Sequence, residues 1–277
     1  MLRHIAAVCF LAVVLLIPQA HAQCPAGTTN PLTTFVGAWT FESEGFNFPP
    51  TQFLASAGRV VATLGTDRAG NTIGVLAITQ SSSIDGSPTR LESDAGRFAV
   101  FPDCSGLTLT FNVSSGPVQL DCFFASATSL VCVGTNNGKI ITLTLNRAVD
   151  NPSCPANPLS TLFGTWAFQW DGFQFPPTEF LATAGRFTAT QGTDRSGGPI
   201  GVLSITQSSA VDGSITRLES DTGRFAINAD CSGGTLTLNV SSRPIQFDFF
   251  FTNANNIVLV GSNNADIVEG FATRVLP

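Results

Sequence analysis

The sequence predicts an all-β protein, two tandem eight-stranded antiparallel up-and-down β-barrels, and three observations carry that expectation. The first is a repeat: residues 32–147 align with 159–274 at a constant offset of 127, without a gap, with 70 identities in 116 positions. A module written twice must be read as one fold used twice. The second is that each copy holds eight short apolar or alternating runs rich in Val, Ile, Thr and Phe, separated by Gly, Asn, Asp, Ser and Pro clusters, the pattern of an antiparallel meander. The third is that no stretch has a convincing 3.6-residue period, so helix should be nearly absent.

Taken in order, residues 1–22 read as an export signal: Arg3 and His4, an apolar run over 5–17, Pro18, then Ala20-His21-Ala22 as a small-x-small cleavage site. The apolar run has 13 residues, short of the roughly 20 that span a bilayer. The expectation is a chain free of membrane spans, exported to the extracellular space or periplasm. A lipid anchor on Cys24 is the competing reading, against which Gln23 counts. The first module then covers 23–148, a Pro-rich linker 149–158, and the second module 159–277. The linker should let the modules fold separately while limiting how far they drift apart.

In the second module the runs predict strands near 164–170, 180–191, 200–207, 215–227, 235–240, 245–251, 257–261 and 267–274, with the first module following 127 residues earlier. Gly65–Gly70 (GTDRAG) returns as GTDRSG, and Asp85-Gly86 returns as Asp212-Gly213. Asp-Gly pairs accept positive φ cheaply and favour hairpins; Asp67 and Asp194 should hold their own turns. Along 245–251, Ile245, Phe247, Phe249 and Phe251 share one side of the strand, with Gln246, Asp248 and Phe250 on the other. Eight such strands in hairpin order bury the apolar face by closing on themselves, which also removes exposed edges.

Loss of the signal removes Arg3, both histidines and Cys9, leaving 12 basic residues against 19 acidic and a formal charge of −7. That argues against nucleic acid and anionic membranes as partners. With no histidine and no tyrosine left, Ser-His and Cys-His nucleophiles and the commonest zinc ligand are gone. No metal and no cofactor are expected. Six cysteines in an exported chain read as disulfides. The repeat suggests Cys24–Cys104 and Cys154–Cys231; Cys122 and Cys132 stand where the second module has Phe249 and Leu259, so they should pair with each other.

Gly37-Ala38-Trp39 and Gly164-Thr165-Trp166 on the first strands, with Arg147 and Arg274 closing the eighth, resemble the Gly-x-Trp and last-strand Arg signature of the calycin superfamily, the lipocalins and avidins. The resemblance covers both modules through three residues in each. It implies a Trp plugging one end of each barrel with Arg packed across it, and a ligand mouth at the other. At such a mouth Phe46, Phe48, Trp170, Phe173 and Phe175 would supply aromatic surface, with tucking under the Pro-Pro turns as ordinary core lids the alternative.

Arg90, Glu92 and Asp94, repeated as Arg217, Glu219 and Asp221, share parity with Phe98. Either Gly96 forms a bulge that turns a solvated charge row outward, or the row points into the barrel, where buried charge must be paired or used. Arg90, Glu92, Arg217 and Glu219 thus join the aromatic residues as candidate ligand contacts. No catalytic residue is assigned, although the Glu92/Asp94 and Glu219/Asp221 pairs would suit glycoside hydrolysis if they faced a cleft. Asn112 and Asn239 begin glycosylation sequons. The function predicted is binding of a small, largely apolar molecule inside one or both barrels. The alternative is a non-catalytic structural or interaction module of the cell exterior, its barrels packed solid and its surface meeting proteins or glycans.

Overall fold

The structure, a computed structural model, describes residues 24, 29–47, 52–113, 116–135, 139–148, 154–174, 179–212, 214–239, 244–263 and 266–275. Residues 1–22, read from the sequence as an export signal, and residues 149–153 of the linker lie outside them. The first module contains β1 (Gly37–Asn47), β2 (Gln52–Thr66), β3 (Thr72–Ile84), β4 (Ser87–Val100), β5 (Gly106–Val113), β6 (Gly116–Ser126), β7 (Ser129–Gly134) and β8 (Lys139–Arg147). The second contains β9 (Gly164–Gln174), β10 (Glu179–Thr193), β11 (Pro199–Val211), β12 (Ser214–Ile227), β13 (Gly233–Asn239), β14 (Pro244–Asn253), β15 (Asn256–Gly261) and β16 (Asp266–Arg274). Each set of eight pairs in sequence order and closes, β1 on β8 and β9 on β16. The helical pieces among the described residues are two 3₁₀ turns, Pro31–Thr34 and Pro158–Thr161, each capped by an Asn side chain.

The turns close by the chemistry the sequence offers. Asp85 (φ 47°) and Gly86 (φ 75°) form the β3–β4 turn, and Asp212 (φ 45°) repeats it. The Asp85 carboxylate also accepts the Phe53 N–H at 2.9 Å, and Asp212 that of Phe180. Asp67 accepts the backbone N–H groups of Ala69 and Asn71 and the Asn71 amide, which holds its carboxyl below the usual range.

The three disulfides join Cys24 to Cys104, Cys122 to Cys132 and Cys154 to Cys231. Cys122 and Cys132 face each other across β6 and β7; Phe249 and Leu259 face each other at the same place in the second barrel.

One end of each barrel is plugged as the last-strand arginine suggested. The Trp39 indole donates to Phe35 O at 2.8 Å, and the Arg147 guanidinium lies 4.8 Å over its ring while donating to Thr34 O and Val36 O, both at 3.2 Å. Trp166 and Arg274 repeat the arrangement at 4.7 Å. Arg147→Ala is expected to cost about 2 kcal/mol in a urea titration, the worth of charge-assisted hydrogen bonds plus a cation–π contact. Arg147→Lys should restore only part of it, because one ammonium cannot stack and reach both carbonyls.

Two expectations need correction. The bulge is not at Gly96, which pairs regularly with Leu76 and Phe111. It lies where the β3–β4 register shifts between Gln80 and Ser82, with Leu91 at φ 48° and its N–H donated to Ser81 Oγ. Leu218 (φ 50°) and Ser208 repeat it. The extra residue splits the charged row: Arg90 turns outward, while Glu92 and Asp94 share the inner face with Phe98. The outer face of β14 is also not solvated. Asp248 and Phe250 are 0% and 1% exposed because the second barrel packs on the first. The outer face of β14–β16 docks on that of β1–β3, burying Phe250, Val258, Val260 and Ile267 against Ala55 and Ala57. At its edge Asp248 accepts Arg90 through both oxygens, from Nε at 3.1 Å and from Nη2, and also the Ser81 hydroxyl at 2.6 Å. Thr40 and Thr252 hydrogen-bond across the same contact at 2.9 Å.

Candidate functional site

Strand parity decides which side chains enter each barrel, and the end opposite the Trp plug is where the two barrels differ. In β1, Trp39, Phe41 and Ser43 point inward; in β9 the equivalents are Trp166, Phe168 and Trp170. Ser43 stands opposite Leu143, whereas Trp170 stands opposite Gly270. A Cβ on Gly270 would run into the Gln169 carbonyl oxygen and come within 2.7 Å of Trp170 Cα and Cβ, so the close approach of β16 to β9 beside Trp170 requires the glycine. Trp170 packs 5.8 Å from Phe247, where barrel one has Leu120. Barrel two is thus filled at this level by two buried aromatic rings.

Barrel one instead keeps a cavity of about 70 Å³. One wall is apolar, from Phe41, Phe111, Leu120, Ile141 and Leu143, and the other is polar, from Ser43, Ser56, Gln80, Thr89 and Glu92. Ser43 and Ser56 share a 2.6 Å hydrogen bond, and Gln80 Nε2 donates to Asp94 Oδ2 at 2.9 Å. Burial first, then the charge of Glu92, pushes the Asp94 carboxyl up, against the lowering effect of Gln80. Asp221, with Glu219 and Gln207, repeats this shift and its causes. Both carboxylates of each pair stand on a single strand, so they line one wall and do not face each other across a cleft. That geometry suits recognition of a hydrogen-bond donor or cation better than paired acid–base work.

The other predicted contacts are dispersed. Phe46 and Phe173 have outward parity, so each lies outside its barrel. With Phe53 and Phe180 they form a chain of rings, Phe46 to Phe53 at 4.8 Å, Phe53 to Phe173 at 4.7 Å and Phe173 to Phe180 at 5.6 Å. This chain lines a groove of about 360 Å³ between the barrels, together with Glu44, Asp171 and Glu269. Arg90 belongs to the docking contact. Phe48, Phe175 and the Arg217 side chain lie outside the described residues. Sequence reasoning missed Ser43, Ser56 and Gln80; the signal that could have found them was the Ser43/Trp170 difference between equivalent inward positions. Among the described residues no group of three or more His, Cys, Asp or Glu is placed to hold a metal ion, and no helix is long and apolar enough to cross a membrane.

No family model matches the chain, and no curated protein matches it. Among solved structures it is similar to kievitone hydratase from Nectria haematococca, at 9% identity over 87% of this chain and 90% of that one, with a TM-score of 0.27. It is also similar to a protein of unknown function of the DUF3598 family from Nostoc punctiforme, at 13% identity over 88% of this chain and 98% of that one, with a TM-score of 0.21.

Proposed function

We propose that this is an exported, non-catalytic binding protein whose first barrel takes a small, largely apolar molecule through the end opposite Trp39, while its second barrel serves as a packed structural partner. The observation that carries the reading is the exchange of Trp170 and Gly270 for Ser43 and Leu143, which leaves one barrel hollow and fills the other. An apolar wall facing a few polar groups is the usual make-up of a small-molecule site. A water needs roughly 10–15 Å³, so the cavity of about 70 Å³ has room for about five to seven non-hydrogen atoms. The polar wall, with Glu92 at its end, favours a ligand whose single polar group donates hydrogen bonds or is cationic. The Trp–Arg plug supports kinship with the calycin barrels, and three disulfides support an oxidising exterior. For barrel two, the buried Trp170–Phe247 pair favours the alternative reading, an interaction module without a ligand.

The test copies barrel two into barrel one. Ser43→Trp with Leu143→Gly should fill the cavity and keep the fold, whereas Ser43→Trp alone should overpack it, at a cost of about 1–3 kcal/mol. In an NMR titration with butylamine, the wild type should shift resonances of Ser43, Gln80, Glu92 and Leu120, and the double variant should not. A wild type whose barrel-one resonances stay still would overturn the reading.

A further inference from the structure

The contact that joins the two barrels is built largely from repeated residues, and each half of it is also present on the other barrel. The inserting half on barrel two is Asp248, Phe250, Val258, Val260 and Ile267; its equivalents on barrel one are Asp121, Phe123, Val131, Val133 and Ile140. The receiving half on barrel one is Phe53, Ala55, Ala57, Ser81 and Arg90; its equivalents on barrel two are Phe180, Ala182, Ala184, Ser208 and Arg217. All ten pairs are identical.

The large apolar equivalents are open. Phe250, Val258 and Ile267 are at most 5% exposed, whereas Phe123, Val131 and Ile140 are 49%, 51% and 59% exposed. On barrel two, Phe180 is 48% exposed and lies with Ala182, Ala184 and Ser208 in a shallow surface concavity of about 470 Å³. Monomeric proteins seldom leave such apolar faces uncovered without a partner.

We infer that the partner is a second copy of this chain, docked head to tail, with barrel one of one copy inserting β6–β8 onto β9–β11 of the next in the way that β14–β16 already sits on β1–β3. The internal contact supplies the template for geometry and chemistry. The bulge that holds Arg90 toward Asp248 recurs at Leu218, where Leu218 N–H is bound by Ser208 Oγ at 3.1 Å, so Arg217 occupies the register position that would meet Asp121. Inserting and receiving strands are different strands of each barrel; Ile140 and Phe180 reach the rim of the groove between the barrels and stay 59% and 48% exposed. The residues that change also favour the contact. Glu269 and Glu42, crowded together in the internal interface, become Thr142 and Gln169 on the open faces, and the Thr40–Thr252 pair becomes Ala167 and Ala125. Heterologous contacts of this kind close into rings when the rotation permits and otherwise grow into filaments.

Sedimentation velocity over a concentration series tests this with two surface variants of the full chain. Val131→Arg blocks the inserting face of barrel one, and Ala184→Arg blocks the receiving face of barrel two. The wild type should gain dimers and larger species, or a ring of fixed size, as concentration rises, while each variant alone stays at the mass of one chain. An equimolar mixture should form a dimer and nothing larger, because each variant keeps the face the other has lost, and this complementation also shows that both are folded. A wild type that remains a single chain at millimolar concentration would overturn the inference. So would association that survives in either variant, which would mean another surface is responsible.

Discussion

Arg90→Met is expected to destabilise the protein by about 3–5 kcal/mol, the loss seen when a buried ion pair is left with one uncompensated charge. Asp248 is wholly buried, while the Arg90 side chain remains 37% exposed. Removing the arginine therefore strands a carboxylate that has only the Ser81 hydroxyl. Removing the acid, as in Asp248→Asn, leaves a guanidinium that can turn to water and an amide that still accepts from Ser81. That variant should lose roughly half as much, since a lost charge-assisted hydrogen bond is worth about 1.5–3 kcal/mol. Asp121→Asn is the internal control: the same residue in barrel one accepts only the Thr108 hydroxyl, at 3.2 Å, and should cost under about 1 kcal/mol. Urea titrations followed by tryptophan fluorescence would give the order Arg90→Met, Asp248→Asn, Asp121→Asn. Equal losses for Asp248→Asn and Asp121→Asn would show that the docking contact contributes nothing to stability.

The architecture was legible because its signals are local or repeated. Turn residues such as Asp85-Gly86 marked strand ends, the offset of 127 placed Cys104 and Cys231 in equivalent turns, and the lack of cysteines at Phe249 and Leu259 left Cys122 for Cys132. The inward direction of Trp170 was legible in the same way, from parity along one strand. What escaped was set by contacts between modules. Phe123 and Phe250 are the same residue at the same place in the repeat, yet one is half exposed and the other buried; nothing local distinguishes them. The bulge was misplaced for another reason. A glycine at 96 is the ordinary marker, whereas the residue that takes positive φ is Leu91, a side chain that avoids it. Its conformation is held by the Ser81 hydroxyl on the facing strand, and Leu218 with Ser208 repeats it in the second barrel, so the bulge belongs to the hairpin itself. The barrel-one cavity was half legible, since the Ser43/Trp170 difference is plain in the alignment but its compensation by Leu143/Gly270 requires knowing that β1 closes on β8.

The acidic side of the barrel contact makes the assembly sensitive to alkali. Glu269 on β16 is buried beside Glu42 and Glu44 of β1 and Asp171 of β9, and its carboxyl is pushed up to about 8, first by burial and then by those charges. Glu42 is raised in the same sense, again chiefly by burial. One Glu269 oxygen, Oε2, has no hydrogen-bond partner among the described residues. A carboxyl raised in the folded state stabilises fully below its unfolded value of 4.5, and this contribution is lost as pH climbs from there through about 8, because only the unfolded chain sheds the proton freely. At roughly 1.4 kcal/mol per pH unit, the rise from 4.5 to about 8 makes the loss about 5 kcal/mol, reduced where the barrels part slightly and admit water. Glu269→Gln keeps the shape and removes the ionisation. It should therefore be close to wild type in urea midpoint at pH 5 and clearly more stable at pH 9, with its pH profile flattened across that range. The barrels should part first in the wild type at high pH, read as faster proteolysis at the linker and a larger hydrodynamic radius before the tryptophans report unfolding. A wild-type midpoint that does not fall between pH 5 and 9 would mean that the groove admits enough water to keep Glu269 ionised at no cost, and the acidic cluster would then have no part in holding the two barrels together.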